Sequence, residues 1–241
     1  DEDATEALLD ALAALDLVRK QNNGYVTVPS LIPYLTRTGN ASMIDAMRFN
    51  SDLYPLWGQL SRCVRTGTPV LPPGSHLGQD PERTRRFVQG MHSRALALGP
   101  AVIAELDVGN CSNLLDVGAG PGTYSRLLAE QAEQLQVTLF DLPPVLEVAH
   151  ELIEPTPAAS RIGFCPGNYR DDDLPTEYDA VLYAGALHQE TRESARKLTA
   201  KLYNALNPAG RVFIFDMLLN ENRISLPFSA LFELNMRLVR Q

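Results

Sequence analysis

The sequence is poor in the features that mark several protein classes. Its three cysteines, Cys63, Cys111 and Cys165, lie far apart, form no C-x-x-C pair and are odd in number. A disulfide framework is therefore not expected; the cysteines read as small apolar fillers in a reducing, cytoplasmic setting. Basic clusters are also missing. The net charge is −8 over 241 residues, which argues against a surface that collects nucleic-acid phosphates. No apolar run reaches the length of a membrane span, and Asp1-Glu2-Asp3 is the wrong opening for a signal peptide. The chain shows no internal repeat, no low-complexity segment and no H-E-x-x-H, so zinc is not expected. What it does have is 45% hydrophobic residues, ample for one large or two small cores.

The most informative stretch is Leu114-Leu115-Asp116-Val117-Gly118-Ala119-Gly120-Pro121-Gly122. An apolar run ends in an acid, alternating glycines follow, and a helix over 122–133 comes next. That pattern is a buried strand, a tight turn and a helix N-terminus, a usual place for a nucleotide-like ligand in an α/β sheet. A dinucleotide fingerprint G-x-G-x-x-G would need glycine at 123, where Thr123 stands. The spacing is instead D-x-G-x-G-x-G, carried by Asp116, Gly118, Gly120 and Gly122. Glycines there let the backbone approach a ligand closely, or simply ease the packing of the turn.

Downstream, the pattern predicts strands over 113–118, 136–140, 162–165, 178–183 and 212–215, alternating with helices over 122–133, up to about 152, and over 190–206. Such alternation implies a doubly wound parallel sheet with helices on both faces. Asp141 ends the second strand in Asp141-Leu142-Pro143-Pro144, where an acid can accept from both hydroxyls of a ribose or cap the helix that follows.

Upstream, Leu8, Leu9, Leu12 and Leu15 fall at helical spacing over 4–15. Leu17-Val18, the turn Asn22-Asn23-Gly24 and a return strand over 25–28 form a hairpin. A helix followed by a small hairpin is the end of a winged-helix module. Its presumed recognition helix carries Glu6 and Asp10 but no Lys or Arg, so dimerisation is expected rather than DNA binding. Further helices are predicted over 42–64 and 81–106, separated by a Pro- and Gly-rich stretch over 66–78 that includes Pro69, Pro72 and Pro73. Phe87, Met91 and Arg94 fall near one face of the second of these helices, as core or as pocket wall. The domain edge is expected near Leu98, giving a mainly helical region 1–97 and an α/β region 98–241.

Taken together, these motifs resemble those of the plant-type and bacterial small-molecule O-methyltransferases, which include the caffeate and hydroxyindole enzymes. Leu114 to Gly122 is similar to their S-adenosylmethionine (SAM) motif, and Phe140-Asp141-Leu142-Pro143 to their ribose-binding segment. Gly167-Asn168-Tyr169 is similar to their adenine motif, and Ala186-Leu187-His188 to their catalytic turn. The resemblance implies a class I methyltransferase Rossmann-like domain preceded by a winged-helix dimerisation domain, hence a homodimer. It implies SAM as cofactor, S-adenosylhomocysteine as product and a small aromatic or enolic acceptor from secondary metabolism. Carried over residue by residue, the cofactor contacts are Asp116, Gly118, Gly120, Gly122, Asp141, Leu142, Gly167, Asn168, Tyr169 and Ala184. The acceptor wall includes Phe87, Met91 and Arg94, and His188 is the general base, oriented by Asp216.

The chain departs from that pattern in three places. Asn168 replaces an acid, Gln189-Glu190 stands where many members have Asp-Trp, and the family continues beyond both ends, so the catalytic domain is expected to lack its C-terminal strands.

The chemistry such a site needs is simple. The acceptor hydroxyl must lose a proton, and histidine is the side chain whose ordinary titration lies nearest neutral pH. His76, His92 and His150 have no motif around them and read as structural. Arg170-Asp171-Asp172-Asp173 raises the alternative of Mg²⁺, but three consecutive carboxylates cannot all face one octahedral ion without a sharp bend, so a solvated loop and no metal is the expectation. Two other readings stand beside methyl transfer: a SAM-binding protein catalysing a pericyclic or oxidative step, and a winged-helix regulatory protein.

Overall fold

The computed structural model describes residues 1–39, 41–71, 77–222, 224 and 226–239; Pro72, Pro73 and His76 lie outside the described residues. The chain begins with α1 (Glu2–Ala14), opened by the Asp1 carboxylate accepting from the Ala4 N–H. The antiparallel pair β1 (Val18–Gln21) and β2 (Gly24–Thr27) follows. Helices α2 (Ile32–Leu35), α3 (Ile44–Trp57), α4 (Leu60–Thr66) and α5 (Pro81–Ile103) complete the first part. The rest comprises β3 (Asn113–Val117), α6 (Thr123–Gln131), β4 (Gln136–Asp141), α7 (Pro143–Ile153), β5 (Ile162–Pro166), β6 (Tyr178–Ala184), α8 (Arg192–Asn204), β7 (Leu206–Phe215) and α9 (Pro227–Val239).

The five long strands form a parallel sheet in the order β5-β4-β3-β6-β7. Successive strand residues point to opposite faces, and the core divides accordingly. Leu114, Val137, Leu139, Ala180 and Leu182 meet Leu128 of α6 and Leu146 and Ile153 of α7 on one face. Leu115, Val117, Phe140, Val181 and Tyr183 meet Leu198 and Leu202 of α8 on the other. With apolar residues on both faces, the strands read as near-continuous hydrophobic runs, as buried parallel strands do. The chain reverses its winding between β3 and β6, and the carboxyl ends of those two strands border one crevice.

Several expected elements differ in detail. The helix expected over 42–64 is two helices, α3 and α4, because Pro55 supplies no N–H and Gly58 holds helical geometry weakly. The helix expected from 190 starts at Arg192, where Thr191 and Ser194 cap each other's backbone N–H groups. Strand β7 begins at Leu206, paired with Tyr178, and is interrupted before Arg211 pairs with Ala180; Pro208, and Ala209 at φ 66°, occupy the irregular stretch. Helix α5 runs without a break through Leu98 to Ile103.

Lys20 of β1 pairs with Glu6 at 3.0 Å and Asp10 at 2.9 Å on α1, and Tyr25 donates to Asp10. No residue of α1 is buried, and Leu8 and Leu15 are exposed.

Candidate active site

The crevice at the carboxyl ends of β3 and β6 is built on glycines whose backbone no other residue adopts cheaply. Gly118, Gly120 and Gly122 have φ of 65°, 55° and 65°, in the left-handed region. A Cβ on Gly122 would fall 2.5 Å from Leu139 Cδ1, and one on Gly118 would fall 3.3 Å from Tyr169 Cε1. Around Gly120 and Gly185 a Cβ would meet nothing within 4 Å. These two glycines therefore present bare backbone to open space, as a loop that receives a ligand must.

Two buried carboxylates hold this loop. Asp116 accepts from Ser125 Oγ at 2.6 Å, tying β3 to the first turn of α6. Burial pushes its carboxyl up to about 7; the Ser125 bond opposes this rise and the nearby Asp141 adds to it. Asp141 accepts from the Gly120 N–H through Oδ2 and from the Leu142 N–H through Oδ1, both at 2.7 Å. Burial pushes this carboxyl up to about 6 despite those two bonds. Each carboxylate oxygen accepts two hydrogen bonds, so Asp141 keeps one lone pair per oxygen for ligand hydroxyls. Leu142 is the N-cap residue of α7.

Across from the glycines, the Gly167 N–H donates to the Asp141 carbonyl at 2.9 Å. The Asn168 side chain serves its own loop: Nδ2 donates to Asp171 and Oδ1 accepts from the Arg170 N–H, while its backbone N–H donates to Asp172. Asp171 and Asp172 are thus engaged locally. Among the described residues no group of three or more His, Cys, Asp or Glu gathers as metal ligands. Tyr169 packs edge-on against Tyr183, with ring centres 5.8 Å apart, beside Gly118.

Ala184 and Phe215 end the paired strands β6 and β7, and His188 and Asp216 follow them. His188 Nδ1 lies 2.8 Å from Asp216 Oδ1, and the His188 backbone N–H donates to Asp216 Oδ2 at 3.0 Å. The Met217 N–H also donates to Asp216. Burial alone would raise the Asp216 carboxyl, but these bonds and the imidazole beside it hold it below the ordinary aspartate value. An ionised carboxylate only accepts, so Nδ1 is the donor in this pair and Nε2 lies outside the bond. The edge of the imidazole meets Phe232 of α9 at 4.8 Å between ring centres.

The other expected site residues lie on α5. Phe87 packs edge-on against Phe49 of α3, and Arg94 donates to Asn50 of α3 at 2.6 Å. Burial lowers the Arg94 guanidinium from its ordinary value. Met91 is half-buried on the same helix. Four further residues, assigned no site role from the sequence, also act near the site. His92 bonds Thr123 Oγ1 at 2.7 Å, at the start of α6. Phe232 lies on an apolar stripe with Phe228 and Leu231 that helical spacing alone could have found. Glu190 and Lys201 act on the loop after β5 and carry no motif.

A separate cleft of about 620 Å³ opens between α8 and α9. None of the glycine loop, Asp141 or His188 lines it, and its Arg170, Lys197, Lys201 and Arg237 are already paired within the chain.

Comparison with known proteins gives this geometry a family. The probable bifunctional dTTP/UTP pyrophosphatase/methyltransferase protein of Homo sapiens is 30% identical over 229 residues, 90% of this chain and 37% of that protein. The tetracenomycin polyketide synthesis 8-O-methyl transferase TcmO of Streptomyces glaucescens is 29% identical over 240 residues, 95% of this chain and 69% of its own length. The chain thus spans between about a third and seven tenths of these relatives. The crystal structure of human N-acetylserotonin methyltransferase in complex with SAM superposes with a TM-score of 0.89 at 23% identity, covering 100% of this chain and 73% of that one, and so shares the fold. The O-methyltransferase domain model matches residues 67–241, and the chain belongs to the O-methyltransferase domain family.

Proposed function

We propose that the chain binds S-adenosylmethionine at the β3–β6 crevice and methylates a hydroxyl of a small aromatic or enolic acceptor, in secondary metabolism, with His188 as general base. The observation that carries this reading is the His188–Asp216 pair at 2.8 Å, standing at two neighbouring strand ends beside the glycine loop. The residues fit the cofactor on two counts. Gly120 faces open space with its backbone, and Asp141 keeps lone pairs for ribose hydroxyls while bonding Gly120 and Leu142. Tyr169, Gly167 and Asn168 border the adenine side, and Asp116, Gly118, Gly122 and Ala184 shape the rest. When bound, SAM supplies a methyl group already activated by its sulfonium, so the protein has no carbonyl or phosphoryl group to polarise.

The work left to the chain is proton removal and orientation. His188 Nε2 takes the acceptor's hydroxyl proton, and Asp216 fixes the tautomer and steadies the imidazolium that forms. Phe232 packs against the ring. Phe87, Met91 and Arg94 belong to the acceptor side, where α3 and α5 meet. We further infer two regions, 1–97 and 98–241, with α5 continuous across their boundary, and a homodimer through the winged-helix-like start: α1 buries none of its residues within the chain, and Leu8 and the C-cap residue Leu15 are exposed. The three cysteines are free, which supports a reducing, cytoplasmic setting. No described helix is long and apolar enough to cross a membrane.

The test is incubation with methyl-labelled SAM and a panel of phenols, followed by mass spectrometry. Wild-type protein is expected to yield a labelled ether, with His188→Ala lowering kcat by about 10²–10⁴ at nearly unchanged S-adenosylhomocysteine affinity. Calorimetric binding of NAD in place of S-adenosylhomocysteine would overturn the reading.

A further inference from the structure

We infer that Glu190 is a positioning residue for cofactor binding, anchoring the loop after β5 to the turn that carries His188. This rests on the proposed SAM site and concerns a position where the chain has its own solution.

The Glu190 carboxylate is buried, with 2% of its side chain exposed. Its Oε1 accepts from Tyr169 Oη at 3.1 Å and from Arg170 Nε at 3.0 Å, and Arg170 Nη2 lies 2.9 Å away. Three donors from two consecutive residues thus converge on one oxygen. Burial would raise the Glu190 carboxyl, but hydrogen bonds with Ser194, Arg170 and Tyr169 and the Arg170 charge hold it below the ordinary glutamate value. It stays ionised, and charge-assisted bonds of this kind are stronger than neutral ones. The guanidinium of Arg170 also lies 5.9 Å from the Tyr169 ring centre, which ties the two donors to each other.

The anchor works because its own base is fixed. Glu190 follows the 3-10 turn Leu187–Gln189, and its N–H donates to the Leu187 carbonyl at 2.9 Å. Asp216 grips that same turn through both the backbone and the ring of His188. A second grip holds the loop from α8: Lys201 Nζ donates to the carbonyls of Tyr169, Arg170 and Asp172 at 3.1, 3.1 and 2.7 Å. The ammonium fixes the main chain of the loop, whereas Glu190 fixes the Tyr169 ring. That ring lies against Gly118, the first glycine of the cofactor loop. Freed from Glu190, Tyr169 can rotate into the space that the adenine side needs. The catalytic turn keeps its two bonds from Asp216, so cofactor binding suffers and proton removal does not.

The experiment compares wild type, Glu190→Ala, Glu190→Gln, Tyr169→Phe and the Glu190→Ala/Tyr169→Phe double variant. It reads S-adenosylhomocysteine affinity by calorimetry together with KM for SAM and kcat. Glu190→Ala is expected to raise both Kd and KM about tenfold with kcat within about twofold, and Tyr169→Phe to raise them less. The double variant should be no weaker than Glu190→Ala, because the hydroxyl acts through the carboxylate. Glu190→Gln keeps the volume and one acceptor oxygen and should fall between wild type and Glu190→Ala, which provides the comparison should the alanine variant fold poorly. Unchanged affinity in both Glu190 variants, or losses that multiply in the double variant, would overturn the inference while leaving the SAM site standing. A wild-type protein that binds no S-adenosylhomocysteine would overturn the site itself.

Discussion

Acidification offers a sharp test of how the glycine loop is supported, because a half-buried histidine lies against it. His92 of α5 bonds Thr123 Oγ1 at 2.7 Å, at the first residue of α6 and next to Gly122. Burial, reinforced by the Arg126 charge and opposed by Asp45, lowers the imidazole from 6.5 to about 4. The folded state therefore disfavours the proton that the unfolded chain accepts. Stability from this group is complete above about pH 6.5 and is lost as pH falls towards 4. At 1.36 kcal/mol per pH unit, the interval sets a ceiling of about 3 kcal/mol, of which about 2 kcal/mol is already lost at pH 5. Asp116 and Asp141, raised to about 7 and about 6, act in the opposite sense: their protonated forms favour the folded state, and that contribution is lost as pH rises. A wild-type curve alone sums all these terms. His92→Asn isolates one of them, because an amide can still bond Thr123 but does not titrate. Urea unfolding at pH 7 and pH 5 should show the variant losing about 2 kcal/mol less than wild type over that interval. Equal losses would mean that His92 is not the neutral, Thr123-bonded group the geometry requires.

Two further outcomes follow from the same framework. Asp216→Asn should lower kcat less than His188→Ala, and the double variant should be no worse than His188→Ala; steady-state kinetics showing full additivity would mean that the acid acts independently. Light scattering should find a C₂ homodimer at micromolar concentration in protein carrying the whole N-terminal region, and a monomer there would remove the dimer proposal.

The α/β half of the fold was legible because its signals are periodic. The strand over 114–117 carries apolar residues on both faces and ends on the acid Asp116 and Val117, and Gly118 to Gly122 announces a turn that only glycine tolerates. The hairpin at Asn23-Gly24 was legible for the same local reason. The start of β7 was not: a strand was expected over 212–215, whereas the pairing of Tyr178 with Leu206 brings the stretch from Leu206 into the sheet. Within the site, His188 and Asp216 were found by motif and position, and they come together 28 residues apart in sequence. Asn168 shows the limit: its place in the chain is readable, but the turn that engages its amide is not. The contacts of Glu190 and Lys201 were not legible because their partners, Tyr169 to Asp172, lie about 20 to 30 residues away and follow no spacing rule. His92 looked like an ordinary helix residue until α6 was seen beside it.

Helix α5 has a consequence for how this molecule can be recombined. Its residues meet α3 through Phe87 and Arg94, α6 through His92, and α7 through the Arg85–Glu151 pair. Gly90 makes the fit with α3 close, since a Cβ there would fall 3.0 Å from Phe49 Cβ. Helices α3, α6 and α7 thus share one strut. A chimera that joins the front of one relative to the back of another within α5 would mismatch both ends of that strut at once. A crossover ahead of Asp80, the N-cap residue of α5, keeps the helix with α6 and α7. The front half can then be exchanged while α6 and the loop before it keep their support from His92.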